Sequence, residues 1–245
     1  MAPIDDLHVA TPADHRRWRI PTVLFIAVVV LGSVALAATR GPLFHAETIR
    51  VRGIHHLSKA DVLRLAGVDG STNVFTLNAA AAERRVEADP WVADATITRD
   101  LPTTLDVEVR ERAPVAVTRA GGILRLVAGD GTLLDATSTA SAYPPIVEAD
   151  PDLPDAPQAW IDGAARALAA MPDDLRRQVL QVSILADGDL QVDLRSGAQI
   201  TYGSADELGA KAEALSALLR WAAAQGTPVR SADLRAPSAP TATFA

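Results

Sequence analysis

The sequence predicts an α+β protein: a single transmembrane helix, then a compact β-α-α-β-β unit, then a mainly antiparallel β unit with two helices. Three observations predict it. Residues 20–39 run for 20 positions without a charge. Residues 44–112 give strand, helix, helix, strand and strand signals in that order. From Pro114 the texture changes to short alternating runs broken by hairpin turns.

Residues 1–19 hold Pro3, Pro12 and scattered charge without a period, and read as a disordered tail. At a rise of about 1.5 Å per residue, the apolar run that follows matches a hydrocarbon core of about 30 Å. Pro21 stands at its entrance, where a missing N–H costs least, and Gly41-Pro42 stops it just beyond Arg40. Arg16, Arg17 and Arg19 crowd the N-terminal flank, whereas Arg40 is followed by no Lys or Arg until Arg50. That asymmetry predicts a cytoplasmic tail and an extracytoplasmic body on the cell membrane. A cleaved signal peptide is the competing reading, since Ala35-Leu36-Ala37 is an A-x-A site; the long lead and long run favour an uncleaved anchor. Both readings export the body.

In the first unit, 44–113, Thr48–Arg52 alternates as a strand and ends at Gly53. Ser58, with Asp61 three residues on, starts a helix that Gly67 closes. Asn78 starts an Ala-rich second helix, which Asp89-Pro90 ends. Trp91 to Arg99 reads as a strand, with Trp91 as core at the helix-to-strand joint. Leu105, Val107 and Val109 then alternate inward against outward charges.

In the second unit, 114–236, Val115–Arg119 and Ile123–Val127 flank Ala-Gly-Gly, and Asp130-Gly131 turns into Thr132–Leu134. Tyr143–Val147 is a proline-started strand. Trp160, Ile161, Ala164, Leu168 and Met171 recur at helical spacing. Val179–Leu185 and Leu190–Leu194 bracket Asp187-Gly188, and Gln199–Tyr202 follows. Ser204-Ala-Asp-Glu207 has the form of a capping box ahead of a long helix closed by Gly226. The last strand is Val229–Leu234, and residues 237–245 read as a flexible Pro/Ala/Thr tail.

Composition excludes several classes. The net charge of −7 falls on the exported part and argues against nucleic acid, whose phosphates need a basic face. There is no cysteine, hence no disulfide and no thiol chemistry. No nucleophile elbow, zinc-protease motif or phosphate loop occurs, so catalytic residues, cofactors and a small-molecule substrate are expected to be none. His55-His56 reads as a loop pair rather than a metal site, because neighbours in an extended segment point apart. Asp150, Asp152 and Asp155 read as a solvated acidic loop rather than a calcium site.

Several stretches carry a resemblance. Ile49-Arg-Val-Arg-Gly53 with Leu57-Ser58, Gly67-Val68, Asn73-Val-Phe75, Pro90-Trp91-Val92 and Arg99-Asp-Leu-Pro-Thr-Thr-Leu105 through Glu111-Arg112 resemble the POTRA domain of the FtsQ/DivIB family of bacterial cell-division proteins. Asp130-Gly131, Pro144 to Ile146, the long late helix and Asp233-Leu234-Arg235 resemble that family's β domain. Leu101 departs from the aromatic that commonly precedes the proline. The resemblance implies a non-enzymatic single-pass scaffold at the division septum, binding other anchored division proteins of the FtsB and FtsL type. An exported POTRA-type transport or assembly factor is the alternative; an anchored enzyme ranks below it. A chain-terminal strand is often a sheet edge with free N–H and C=O groups; an edge covered by the Pro/Ala tail is the competing reading. The expected partner surface is therefore Val229, Ser231, Ala232, Asp233, Leu234 and Arg235, with Phe244 beside it and the helix around Trp221 as the next candidate.

Overall fold

The computed structural model describes residues 19–39, 44–138, 143–148 and 157–245. Helix α1 (Arg19–Thr39) has 21 residues. Its described side chains, Leu24 to Val34, are all exposed. They span about 15 Å, half a bilayer core, and among the described residues no helix is long and apolar enough to cross a membrane.

The next five elements are β1 (Thr48–Arg52), α2 (Lys59–Ala66), α3 (Ala79–Glu87), β2 (Val92–Asp100) and β3 (Thr104–Glu111). The sheet order is β1-β3-β2. β1 runs parallel to β3 from Thr48↔Thr104 to Arg52↔Glu108, and β2 returns antiparallel, with Asp100 beside Thr104. Local signals set the helix ends: the Ser58 side chain accepts from the Asp61 N–H, and that of Asn78 from the Ala81 N–H. Gly67 closes α2 in the left-handed region. Leu105, Val107 and Val109 lie buried against Val62, Ala66, Ala82 and Val86, the inward face that alternation predicts.

Trp91 is core at the joint between α3 and β2, as the sequence predicts, and its buried neighbours come from the second unit. It packs with Ala128 and Leu134 of the second unit, flanked by Leu57 and Leu126. Its indole N–H donates to Asp135 Oδ2 at 3.0 Å. The His56 ring stacks on it, with centroids 3.5 Å apart and planes 13° from parallel. Arg112 ties the same joint: its backbone N–H donates to Trp91 O at 2.7 Å and its guanidinium to Asp130 at 2.7 Å. Glu111 accepts the backbone N–H groups of His55, His56 and Leu57 at 2.8–2.9 Å. Burial pushes its carboxyl up, but those three donors outweigh it and hold it below the ordinary range.

The second unit begins with a three-stranded antiparallel sheet, β4 (Pro114–Ala120), β5 (Ile123–Ala128) and β6 (Leu133–Ala136). Then come β7 (Ile146–Glu148), α4 (Gln158–Ala170), α5 (Asp173–Arg176), β8 (Val179–Ile184), β9 (Leu190–Leu194), β10 (Gln199–Gly203), α6 (Leu208–Gln225), β11 (Val229–Asp233) and β12 (Thr241–Phe244). These last strands form a six-stranded sheet in the order β12-β11-β10-β9-β8-β7. It is mixed, because β7 joins β8 and β10 joins β11 in parallel. β4 lies beside β7, through Val117 N–H to Pro144 O at 3.2 Å and Thr118 Oγ1 to Ile146 O at 3.2 Å. α4 and α6 contribute Ile161, Leu168, Ala212 and Leu215 to the core.

The capping box at Ser204 does not form. Glu207 adopts a left-handed φ of 45° and makes no side-chain cap bond. Ser204 O and Asp206 Oδ1 instead hold the ammonium of the fully buried Lys211, at 2.8 and 2.7 Å. A buried cation outranks a cap, since leaving it unpaired costs more.

Candidate partner-binding edge

The sequence predicts the partner surface on the strand Val229–Leu234, either as a free edge or as an edge covered by the Pro/Ala tail, and in the structure the strand is covered. β11 lies inside the sheet. On one side β10 pairs with it, Gln199↔Ser231 through Thr201↔Asp233; on the other β12 pairs with it, from Asp233↔Thr241 to Val229↔Phe244. Residues 241–244, read from sequence as part of a flexible tail, are that covering strand. Val229, Ala232 and Leu234 are buried in the core, so their side chains are spent on packing. The Ser231 hydroxyl meets the Thr243 hydroxyl at 2.8 Å across the β11–β12 pair. Arg235 and Asp233 bond to each other, at 2.6 Å between Nη2 and Oδ2. The Arg235 side chain holds the Asp233 carboxyl below the usual carboxylate range, and Asp233 in turn raises Arg235.

The edge therefore moves one strand outward, to β12. Among the described residues no strand pairs with its outer side. The Ala245 N–H donates inward to Pro228 O at 3.0 Å. Backbone groups along a strand alternate in direction. That alternation turns the N–H groups of Thr243 and Thr241 toward β11 and those of Phe244 and Ala242 outward.

Two predicted residues do come together here. Trp221, near the C-terminal end of α6, and Phe244 of β12 have ring centroids 5.4 Å apart at 57°. Trp221 is 53% exposed and Phe244 37%. This tilted aromatic pair is the large apolar feature beside the open edge. Sequence reasoning missed β12 itself, although Phe244 in an otherwise Pro/Ala/Thr stretch was the available signal.

The other predicted features are elsewhere. His55 and His56 sit at the joint between the units, and Trp160 packs against the core of the second. Asp150, Asp152 and Asp155 lie outside the described residues. Among the described residues no cluster of three or more His, Cys, Asp or Glu is arranged to hold a metal.

A β-α-α-β-β unit leading through a packed joint into a mixed β unit defines a POTRA-bearing protein with a C-terminal β domain. An FtsQ-type POTRA domain model matches residues 44–112, and the C-terminal model of cell-division protein FtsQ/DivIB matches residues 116–235. The chain belongs to the FtsQ/DivIB family of bacterial cell-division proteins. Relatives named cell division protein FtsQ include one from Koribacter versatilis, 33% identical over 52% of this chain and 39% of its own length. Another, from Mycobacteroides abscessus, is 29% identical over 91% of this chain and 69% of its own. A third, from Streptomyces bingchenggensis, is 26% identical over 93% and 89%. The chain thus spans well under half of the first relative and most of the other two.

Proposed function

We propose that this chain is a single-pass membrane scaffold of the division machinery, which captures anchored partners of the FtsB and FtsL type and performs no catalysis. In this reading α1 spans the membrane with the tail in the cytoplasm, and the POTRA and β units stand outside at the septum. The arginine asymmetry around the apolar run and the division family support that orientation. Partner capture works by strand addition: a partner segment pairs with the outer side of β12 while an apolar side chain rests on Trp221 and Phe244. The observation that carries this is the open side of β12 next to that exposed aromatic pair.

The test places proline on β12 rather than on β11, where it would break the interior ladder. Ala242→Pro removes an outward donor and leaves the bonds to β11 in place. Capture of a tagged FtsB-type protein from membranes should be lost with Ala242→Pro and weakened with Trp221→Ala, both variants melting near the parent. A folded Ala242→Pro variant that captures its partner at parental strength refutes strand addition.

A further inference from the structure

The end of the POTRA unit from which α1 departs carries exposed apolar side chains. Among the described residues between 44 and 112, the exposed large apolar side chains are Phe75 and Leu101. They are far apart in sequence, and the topology brings them to one end. β1 starts at Thr48 and β3 at Thr104, which pair, and β2 ends at Asp100 beside the same Thr104. Leu101 is therefore on the hairpin tip at the end where β1 begins. The loop after α2 returns to that end as well. Its Thr72 O accepts the Ala46 N–H at 2.9 Å, and its Val74 N–H donates to Phe44 O at 2.7 Å. The Phe44 and Phe75 rings meet there, with centroids 5.6 Å apart. The opposite end, at Glu111 and Arg112, is closed by the joint to the second unit.

Five residues, each advancing an extended chain by at most about 3.6 Å, lead from Thr39 to Phe44, so Phe44 lies within about 18 Å of the end of α1. A headgroup layer adds about 5–8 Å to each side of the hydrocarbon. Phe75 and Leu101, at 46% and 52% exposure, are thus held within reach of the lipid interface. Charge does not draw them there: Glu47, Asp69 and Asp100 outnumber Arg99 among the exposed charges of that end, so an anionic surface gains nothing.

We propose that this end of the POTRA unit rests on the bilayer, with Phe75, Leu101 and the edge of Phe44 seated among lipid headgroups. This fixes the tilt of the unit, and through the Trp91 joint the height at which β12 is presented. The inference rests on the reading of α1 as the membrane anchor. Aromatic and aliphatic tips seat in the interface by apolar burial, as on the apolar face of an interfacial helix.

The chain has no cysteine, so single substitutions give unique labels. Full-length Phe75→Cys, Leu101→Cys, Leu180→Cys and Leu31→Cys variants carry a nitroxide and are reconstituted into phosphatidylcholine vesicles. Collision with oxygen, which concentrates in the bilayer, is compared with collision with a water-soluble nickel chelate. Labels at 75 and 101 should show an oxygen excess over the label at 180, equally in vesicles containing anionic phosphatidylglycerol. The label at 31 reports separately on the anchor. Labels at 75 and 101 as aqueous as that at 180 overturn the inference; with 31 deep in the bilayer the anchor survives that result, and with 31 aqueous it falls too. An oxygen excess at 75 and 101 that appears only with anionic lipid, or only when a division partner is co-reconstituted, also overturns it, in favour of charge or of a protein contact. If Phe75→Cys melts early, Thr76→Cys in the same exposed loop carries the label instead.

Discussion

Trp91→Ala tests whether the two units act as one body. Trp91 is 8% exposed, so the substitution removes nearly a whole indole from the joint. A buried Trp→Ala change costs about 3–5 kcal/mol. The indole N–H bond to Asp135 adds little, because that carboxylate is largely exposed and rehydrates. The seat lies at the joint between the units, where the neighbours can close over part of the space left, which places the expected loss near the lower bound, about 3 kcal/mol. At roughly 2–4 °C per kcal/mol for a chain of this size, the melt should fall by about 6–12 °C. Calorimetry of the full chain in detergent should show it, with one cooperative transition broadening or splitting as the units uncouple. His56→Ala should couple to it by about 0.5–1.5 kcal/mol in a double-mutant cycle, the worth of a stacked ring pair. A loss under about 1 kcal/mol with an unsplit transition would mean that Trp91 does not hold the units together.

Two further outcomes concern the same half of the molecule. Glu111 titrates below its unfolded-state value of about 4.3, so its stabilisation is complete above that value and is lost as pH falls through the lower folded one. Asp130, held down by Arg112 against its burial, acts in the same direction. The melting temperature should therefore drop between about pH 5 and pH 3, and less steeply in Glu111→Gln; superimposable profiles would remove Glu111 from the account. Gly53 has a φ of 79°, and a Cβ there would stand 2.0 Å from Val109 O, so Gly53→Ala should cost more than about 2 kcal/mol by thermal melting.

What the sequence made legible was local. Ser58, Asn78 and Gly67 each mark a helix end through a bond made within three or four residues, and Leu105, Val107 and Val109 show their inward face by alternation alone. What it concealed depends on distant neighbours. Thr241–Phe244 is four residues long and preceded by Pro237 and Pro240, so beyond the lone Phe244 little local marks a strand until β11 is present to pair with it. The open edge consequently lies one strand outward of Val229–Leu234, and Trp221 and Phe244 meet beside it. Ser204 to Glu207 has the letters of a capping box, but the segment instead turns its Ser204 carbonyl and Asp206 carboxylate onto the buried Lys211 in the next turn. Trp91 next to Pro90 looks like local core; its seat is made by Ala128 and Leu134, which no short-range pattern connects to it.

The capture of a partner strand by β12 is tested most directly by amide hydrogen exchange at single-residue resolution, on the full chain alone and with an FtsB-type partner. In the free chain the N–H groups of Ala242 and Phe244 face outward and exchange fast, while that of Thr243 is protected by β11. The partner should slow exchange at Ala242 and Phe244 and leave Thr243 nearly unchanged. Unchanged exchange at both outward positions in a saturated complex would contradict it, whichever other surface became protected.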